Sequence, residues 1–363
     1  MANPITVVHV ARAAGVAVGT VSRVLNHHPN VNDAARTRVL KAAQELGYKR
    51  IRQHHKNGGA AGFTSTAKGN IGVIFFGMED TLVHLPVVSA ALHGVESALS
   101  ARGENLMLAN IPRGDLVPAF LRDHGVLGLI LKGPNQGALP TPLESELIRA
   151  IDGMPHVWLM GRLHDATGDH CNFDADAAGQ LVVAHLREQA HRRIAFLNPK
   201  PGHIQFEKLH RGFMDAAKRM GAEPTVMEVA PPEQLAWPLP ATTHEDHVRT
   251  LVERWLRLPA AKRPTALFAP SDRTAVQLYG ALRECGVRVA QDVSVISCNN
   301  ETSLVSGLNP QLTTVDVQAE FVGRRAVEQL FWRIANPAEP VTMQVLVEPR
   351  LVVRHSVARL KYQ

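Results

Sequence analysis

The sequence predicts an α/β protein in two parts: an N-terminal all-α helix-turn-helix head and a larger, two-lobed, doubly wound α/β core. Residues 5–26 show helical apolar spacing on both sides of a glycine, and basic side chains concentrate in the first 70 residues. From residue 70 onward, short apolar runs alternate with amphipathic stretches, which is the pattern of strands and helices around a parallel sheet. The chain has 363 residues, which is more than one hydrophobic core usually holds.

Three residues set the geometry predicted for residues 5–26. Ala11 is small where two helices would touch, Gly15 can take a positive φ in the turn, and Val21 is a β-branched core residue of the second helix. Thr6 is the expected N-cap of the first helix. The apolar stripe of that helix is Val7, Val10, Ala11 and Ala14.

The second predicted helix has a free side of small and polar residues: Val18, Gly19, Ser22, Arg23 and Asn26. A third helix is expected to begin at the N-cap Asn32 and to end at Gly47. Its buried residues would be Val39, Leu40, Ala43 and Leu46. Taken alone, this spacing also fits a structural helical hairpin with a polar outer face.

The charge distribution separates the two interpretations. Residues 1–70 hold ten Lys or Arg and two acids, a net charge of +8, whereas the whole chain carries +6 and the remainder is slightly acidic. A basic head on an acidic body is typical of a protein whose head contacts phosphate. A solvated basic face explains the charge alone, but not the charge together with the turn motif.

Seven short apolar runs of the core are bounded by Gly, Pro, Asn or Asp and predict buried parallel strands. They are residues 71–76, 105–110, 126–131, 156–160, 193–197, 266–269 and 293–297. Amphipathic stretches at 87–103, 178–191, 206–221 and 273–286 predict helices between them. The number of strands indicates two lobes.

Several segments of this chain resemble the LacI/GalR family of bacterial transcriptional regulators. Residues 5–48, through GTVSRVLN and RVLKAAQELGY, are similar to its DNA-binding headpiece. DADAAGQLVVAHL, PTALFAPSD and VEPRLVVRHS are similar to its ligand-binding core, which has the periplasmic-binding-protein fold. The resemblance implies a sequence-specific DNA-binding regulator, most often a repressor, that acts as a homodimer on an imperfect palindrome of double-stranded DNA.

The resemblance also implies the residues that contact DNA. They are Thr6, Val18, Gly19, Thr20, Ser22, Arg23, Asn26, Asn30, Val31, Asn32, Tyr48, Arg52 and Asn57. In the family a hinge helix wedges a leucine into the minor groove, but here Asn57 stands at that position and Gly58-Gly59 follow. Two glycines each cost a helix about 1 kcal/mol, and asparagine supplies no apolar wedge. We therefore expect binding without the usual kink.

Effector contacts are implied in the cleft between the lobes, where open α/β sheets bind ligands. The implied residues are Pro86, Arg162, Asp174, Leu209, Trp237, Ser271, Asp272 and Asn299. Asp174, Asp272 and Trp237 match the family pattern and favour a small polar, carbohydrate-like ligand. Leu209 replaces a usual arginine and Ser271 a usual asparagine, so the pocket is chemically altered. A core that has lost ligand response and serves only to dimerise is the alternative.

The expected domain bounds follow from the same resemblance. The head would span 1–50, a hinge or linker 51–69, and the core 70–363. Within the core, the first lobe is expected to hold 70–161 and 299–330. The second would hold 162–298 and 331–355.

Other classes of protein find little support in the sequence. It lacks a G-x-S-x-G elbow, an H-E-x-x-H pair and a lysine-bearing phosphate loop, so we predict no enzymatic activity, no cofactor and no metal site. The sequence has neither a membrane-length apolar run nor a signal peptide, which favours a cytoplasmic location over an exported solute-binding transport protein. Cys171, Cys285 and Cys298 are expected to be free thiols.

Overall fold

A computed structural model describes residues 7–25, 32–46, 69–76, 86–111, 115–163, 166–231 and 247–360. The chain divides into two compact units, Met1–Ser65 and Thr66–Gln363. The smaller unit is helical and the larger one is α/β.

Three helices make up the described part of the smaller unit: α1 (Val7–Ala14), α2 (Val18–Leu25) and α3 (Asp33–Glu45). Val10, Val21 and Val39 are fully buried at the place where they meet. Gly15 has a φ of 63° in the turn between α1 and α2, as its position in the sequence predicts. The three-helix head is therefore confirmed within these bounds.

The sequence predicts the start of α3 correctly but misplaces one residue of its apolar face. Asn32 Oδ1 accepts a hydrogen bond of 2.8 Å from the Ala34 N–H, which confirms its role as N-cap. Leu40 is 48% exposed, so the prediction that it is buried is wrong. The buried stripe runs through Val39, Ala42 and Ala43, and Leu40 lies about 100° around the helix from Val39.

The larger unit holds two sheets, each of six strands among the described residues. The first, in spatial order, is β11 (Gln344–Val347), β5 (Asp169–Phe173), β4 (His156–Leu159), β3 (Gly128–Lys132), β1 (Asn70–Phe76) and β2 (Asn105–Ile111). The second is β12 (Arg350–Val352), β10 (Thr313–Asp316), β9 (Ser294–Asn299), β8 (Ala266–Phe268), β6 (Arg193–Asn198) and β7 (Glu223–Glu228). All pairs are parallel except β10 with β12.

Helices cover both sheets, as the predicted α/β class requires. The first lobe carries α4 (Pro86–Ala101), α5 (Ala119–Arg122), α6 (Glu146–Asp152) and α12 (Ala319–Ala335). The second lobe carries α7 (Ala175–Glu188), α8 (Ile204–Arg219), α9 (His247–Leu256), α10 (Asp272–Glu284) and α11 (Thr302–Val305). All seven predicted apolar runs lie on strands.

The chain crosses between the lobes later than the sequence predicts. It leaves the first sheet after Phe173, returns after Asp316 and leaves again after Val347, whereas the expected changes follow residues 161, 298 and 330. The reason is strand pairing: β5 continues the first sheet beside β4, and β10 continues the second beside β9. Neither strand is a continuous apolar run.

Each lobe contains one helix pair whose backbones touch at glycines. In the first lobe, a Cβ on Gly94 would overlap the Glu320 carbonyl oxygen of α12. In the second, a Cβ on Gly212 would overlap the Asp176 carbonyl oxygen of α7. Only glycine permits so close an approach at these crossings. Within the described ranges, no helix combines the length and the apolar character that a membrane span requires.

Candidate functional site

The outer face of α2 is the first candidate surface. Val18 is 46% exposed and Gly19 is exposed, and a Cβ built on Gly19 would meet no atom within 4 Å. Thr20 is half-buried. Small exposed residues at the start of a helix let a second molecule approach its backbone closely. The described part of α2 therefore presents the open face that the sequence predicts.

Many of the predicted DNA contacts lie outside the described residues. Asn32 is described and exposed, and it caps α3. Ser22 and Arg23 belong to α2 by their backbone, but their side chains are outside the described part. The others outside it are Thr6, Asn26, Asn30, Val31, Tyr48, Arg52 and Asn57. These contacts stay predictions.

A cleft between the two lobes is the second candidate site. The Ile204 N–H, at the start of α8, donates a hydrogen bond of 2.8 Å to the Asn135 carbonyl, which follows β3. Gln136 Nε2 donates another, of 2.9 Å, to the carbonyl of Pro201. Loops that follow β3 and β6 therefore touch, so the carboxyl ends of the two sheets face each other. We call this junction the inter-lobe cleft.

Gln205 joins the lobes a second time. It is 8% exposed, and its Nε2 donates to the Met160 carbonyl at 2.9 Å while its Oε1 accepts from Asn172 Nδ2 at 3.2 Å. Gly161, with a φ of 112°, leaves room for the Gln205 amide, since a Cβ there would lie 2.5 Å from Nε2. One side chain of α8 is thus bonded to the ends of β4 and β5.

Glu301 makes the third connection. Its Oε1 accepts a hydrogen bond of 3.0 Å from the Val87 N–H in the first turn of α4, although Glu301 itself follows β9 of the second lobe. Burial raises the pKa of the Glu301 carboxyl, and the charge of the neighbouring Asp272 raises it further. The hydrogen bond from the Val87 N–H lowers this pKa but does not outweigh the other two effects. A carboxylate near a helix N-terminus also interacts favourably with the helix dipole.

Asp272 fixes the backbone of Glu301 by accepting a hydrogen bond from its N–H. It is fully buried and accepts hydrogen bonds from the Ser297 hydroxyl, the Glu301 N–H and, at 2.7 Å, Thr314 Oγ1. Burial raises the pKa of this carboxyl despite those donors. Because protein donors occupy both oxygens, Asp272 contacts an effector only if some of these bonds break.

The other predicted effector contacts at the cleft are also held by protein bonds. Asp174 follows β5 and caps α7 through the Ala177 N–H at 2.9 Å, and Ser271 caps α10 through the Thr274 N–H at 3.2 Å. Arg162 Nη1 donates to the Gly168 carbonyl at 2.8 Å. Asn299 ends β9.

The remaining three predicted contacts differ from one another. Pro86 begins α4 and is half-buried, so it lies at the cleft end of the first lobe. Leu209 is 1% exposed and belongs to the hydrophobic core, so its side chain packs inward. Trp237 lies outside the described residues.

Lys132, which ends β3, is not among the site residues predicted from the sequence. It is 4% exposed, and its Nζ donates to the Gly133 carbonyl and, at 2.9 Å, to Asn135 Oδ1. Among the described side chains, no carboxylate lies within 4 Å of this ammonium group. Burial lowers the pKa of Lys132 to about 8. A lysine at the end of the apolar run VLGLIL was the available signal, since such a residue ordinarily marks the exit of a strand to solvent.

Two unbonded polar groups lie on the opposite side of the cleft. His203 is the N-cap residue of α8, and its Nδ1 is buried without a hydrogen-bond partner in the described part of the chain. Burial, with the charges of Lys200 and Lys132, lowers the pKa of His203 to about 3. Asn198 ends β6 fully buried, and its Nδ2 likewise has no partner there.

A neighbouring part of the cleft is basic as well. Burial, together with the charges of Arg162 and Lys208, lowers the pKa of His170 to about 4. Burial and Arg211 lower the pKa of Lys208, although Asp176 and Asp174 act in the opposite direction. Positive charge therefore comes from both lobes.

Two surface hollows lie away from this cleft. One, of about 530 Å³, is bordered by Trp255, Arg263 and the ion pair Arg288–Asp292. The other, of about 210 Å³, is bordered by the buried pair Arg333–Asp169. Each hollow contains an ion pair, and the Arg263 guanidinium of the first donates to the backbone carbonyls of Leu256 and Leu258.

Comparison with known proteins agrees with this architecture. The family model "Bacterial regulatory proteins, lacI family" matches residues 6–50, and the model "Periplasmic binding protein-like domain" matches residues 183–357. The chain is 26% identical to the HTH-type transcriptional repressor PurR of Mannheimia succiniciproducens, over 98% of this chain and 99% of that protein. It is 27% identical to the ribose operon repressor of Escherichia coli, over 92% and 94% respectively.

The fold is shared with a solved structure of the lac repressor dimer bound to operator and the anti-inducer ONPF. The TM-score is 0.62 at 23% identity, over 98% of this chain and 100% of that one. The two family models together span more than half of the chain, one on the helical head and one on the α/β core. The chain therefore combines a lacI-family helix-turn-helix domain with a periplasmic-binding-protein-like domain.

Proposed function

We propose that this protein is a transcriptional repressor that binds an operator in double-stranded DNA through α2. The observation that carries the proposal is the exposed, unobstructed start of α2 at Val18 and Gly19, in a head with a net charge of +8 over residues 1–70. A helix of this kind enters the major groove with its N-terminal residues at the base edges. Basic side chains around it supply the phosphate contacts that dominate affinity.

The α/β core is proposed to dimerise and to bind a small polar effector in the inter-lobe cleft. Among the described residues, hydrogen bonds cross this cleft at Asn135–Ile204, Gln136–Pro201, Gln205–Met160 and Glu301–Val87. A ligand that inserts between the lobes must change at least one of them. The effector therefore has a direct means of shifting the balance between two arrangements of the lobes. The lac repressor structure named above is a dimer bound to operator, which supports a homodimer on an imperfect palindrome.

The proposal includes a cytoplasmic location, where the chain would meet DNA, and no enzymatic activity or cofactor. Support for the last point comes from the chemistry of the cleft. Its carboxylates, Asp174, Asp272 and Glu301, each accept hydrogen bonds from backbone N–H groups. Groups occupied in this way orient loops and helices rather than reactants.

Selection of binding sites from random duplex DNA by the full chain tests the proposal. We expect an enriched imperfect palindrome, bound with an affinity that falls steeply with salt and exceeds the affinity for shuffled DNA of equal length by at least about a thousandfold. A chain that enriches no sequence, or that binds shuffled and selected DNA equally, is not a sequence-specific regulator.

A core that only dimerises is the second candidate, and Leu209 favours it, because its side chain packs into the hydrophobic core at a position where the resemblance implies a ligand-binding arginine. The two candidates differ in their response to small molecules. An effector specific for the folded core raises the melting temperature in proportion to its occupancy and changes operator affinity. A core that only dimerises does neither.

A further inference from the structure

We propose that the effector of this protein carries an anionic group, a phosphate or a carboxylate, which binds between Lys132 of the first lobe and the start of α8 in the second. This inference rests on the proposed function, because it specifies the chemistry of the ligand in the inter-lobe cleft. Within the described part of the chain, a cation without a charged partner lies on one side of the cleft, and a helix start without a side-chain cap lies on the other.

The cation is Lys132. Burying an ammonium group is costly unless it is paired, and buried lysines are ordinarily paired with a carboxylate. Here the neighbours are neutral oxygens, the Gly133 carbonyl and the Asn135 amide, which accept two of the three ammonium protons. One N–H therefore remains for a further acceptor. An anion satisfies both the remaining hydrogen bond and the charge.

The donors opposite are those at the start of α8, a helix of 16 residues. Its N-cap, His203, makes no side-chain capping bond, so the first turn keeps the partial positive charge of a helix N-terminus, with the Ile204 N–H already bonded to the Asn135 carbonyl. Two buried polar atoms of the segment that leads into α8 have no hydrogen-bond partner among the described residues: Asn198 Nδ2 at the end of β6 and His203 Nδ1 at the N-cap. Asn198 is fully buried, and buried amide N–H groups ordinarily have an acceptor. Among the described residues, Asn198 Nδ2 has none.

Lys132 and the start of α8 are close to each other. Asn135, which accepts from Lys132, also accepts from the Ile204 N–H with its own carbonyl. The Lys132 charge is near enough to oppose protonation of His203. An anion placed between them thus contacts both lobes.

The surrounding charges favour the same ligand. Lys200 adds a positive charge beside His203. The first turn of α8 itself holds one acid, Glu207, which is exposed and whose Oε1 accepts a hydrogen bond of 3.1 Å from the Gly202 N–H. A neutral sugar hydroxyl offers a hydrogen bond to Lys132 but leaves its charge uncompensated, whereas a charge-assisted bond to an anion is roughly twice as strong as a neutral one.

The test is calorimetric titration of the full chain with four probes at neutral pH: D-glucose, D-gluconate, glucose 6-phosphate and inorganic phosphate. Each is titrated into the wild type, Lys132→Met and Lys262→Met. Lys262 is exposed and lies far along the chain from the cleft loops, so it is the matched control. We expect at least one anionic probe to bind, D-glucose to bind at least tenfold more weakly, and only Lys132→Met to weaken anion binding by tenfold or more.

The probes separate the two anion chemistries, since gluconate alone indicates a carboxylate and the phosphorylated probes indicate a phosphate. Binding of D-glucose equal to that of the anions, anion binding that survives Lys132→Met, or the failure of every anion to bind would overturn the inference. Lys132→Gln is a second substitution at this position. Circular dichroism spectra of all variants show whether a variant that has lost anion binding is still folded. Operator binding by the same samples tests the proposed function separately, because it does not depend on any of the probes.

Discussion

Replacing Lys132 by methionine should stabilise the protein at neutral pH, although the substitution removes two hydrogen bonds. Burial lowers the pKa of this ammonium from 10.5 to about 8. Each pK unit corresponds to about 1.4 kcal/mol, so the charged form costs roughly 3 kcal/mol in the folded state. The bonds to Gly133 and Asn135 offset about 1–2 kcal/mol, since an intramolecular hydrogen bond contributes about 1 kcal/mol. The free energy of unfolding should therefore rise by about 1–2 kcal/mol.

The pH dependence gives this prediction a distinctive sign. Because the folded pKa of Lys132 lies below the unfolded one, the wild type bears the full penalty below pH 8 and loses it as the pH rises from 8 to 10.5. Above that window the amine is neutral in both states, and the wild type keeps two hydrogen bonds that the methionine variant lacks. Lys132→Met should then be the less stable protein, by about 1–2 kcal/mol.

Urea denaturation at a series of pH values from about 7 to about 10.5 measures the effect, with the transition midpoint taken at unchanged slope. Lys262→Met again serves as the control, because Lys262 is exposed and its substitution should shift the midpoint little at any pH. A Lys132→Met variant that is destabilised at neutral pH, or whose effect does not vary with pH, would show that the buried ammonium is a structural group and would refute the reasoning.

Four further predictions concern the fold, the head and the assembly. Gly323→Ala should destabilise the protein by about 2–3 kcal/mol in thermal unfolding, since its Cβ would overlap the Ala91 carbonyl, whereas Gly280→Ala, which meets no atom within 4 Å in α10, should stabilise it by up to about 1 kcal/mol. Arg23→Ala should cost about 1–3 kcal/mol on the selected operator and much less on shuffled DNA in gel-shift titrations; equal losses would mean a phosphate contact. Circular-permutation gel assays should show little operator bending, because Asn57 supplies no apolar wedge; a bend of several tens of degrees would contradict this. Light scattering should give twice the chain mass of 39.6 kDa, and a stable tetramer would overturn the dimer.

The sequence predicts the strands best where burial is continuous. β1 and β3 are apolar almost throughout, because parallel strands covered by helices face apolar surroundings on both sides. β5 cannot be predicted from this pattern, because Asp169, His170 and Asn172 are polar and yet buried. Partners on distant elements make their burial tolerable: Arg333 for Asp169 and Gln205 for Asn172. No pattern local to the strand shows those partners.

The cleft is predictable in position but not in content. The carboxyl ends of the strands locate it, and Asp174 and Ser271 lie at such ends as expected. Lys132 was missed because its burial depends on Asn135 and on the loop before α8, which reaches it from the other lobe. Leu40 shows the opposite error, since an apolar residue on α3 was expected inside and is half exposed. In both cases the deciding contact is tertiary.

Within the described part of the chain, the buried Lys132 has only neutral partners, and burying a cation in this way is a cost that a stable fold does not require. Natural proteins retain such costs mainly where a ligand removes them, because strained or uncompensated groups cluster at functional sites. Lys132 lies where loops of the two lobes touch, so an anion that binds it also contacts the start of α8 and joins both lobes. The energy that the free protein loses by burying Lys132 is then recovered only in the liganded arrangement. Differential affinity of this kind is what an effector needs in order to shift a two-state regulator.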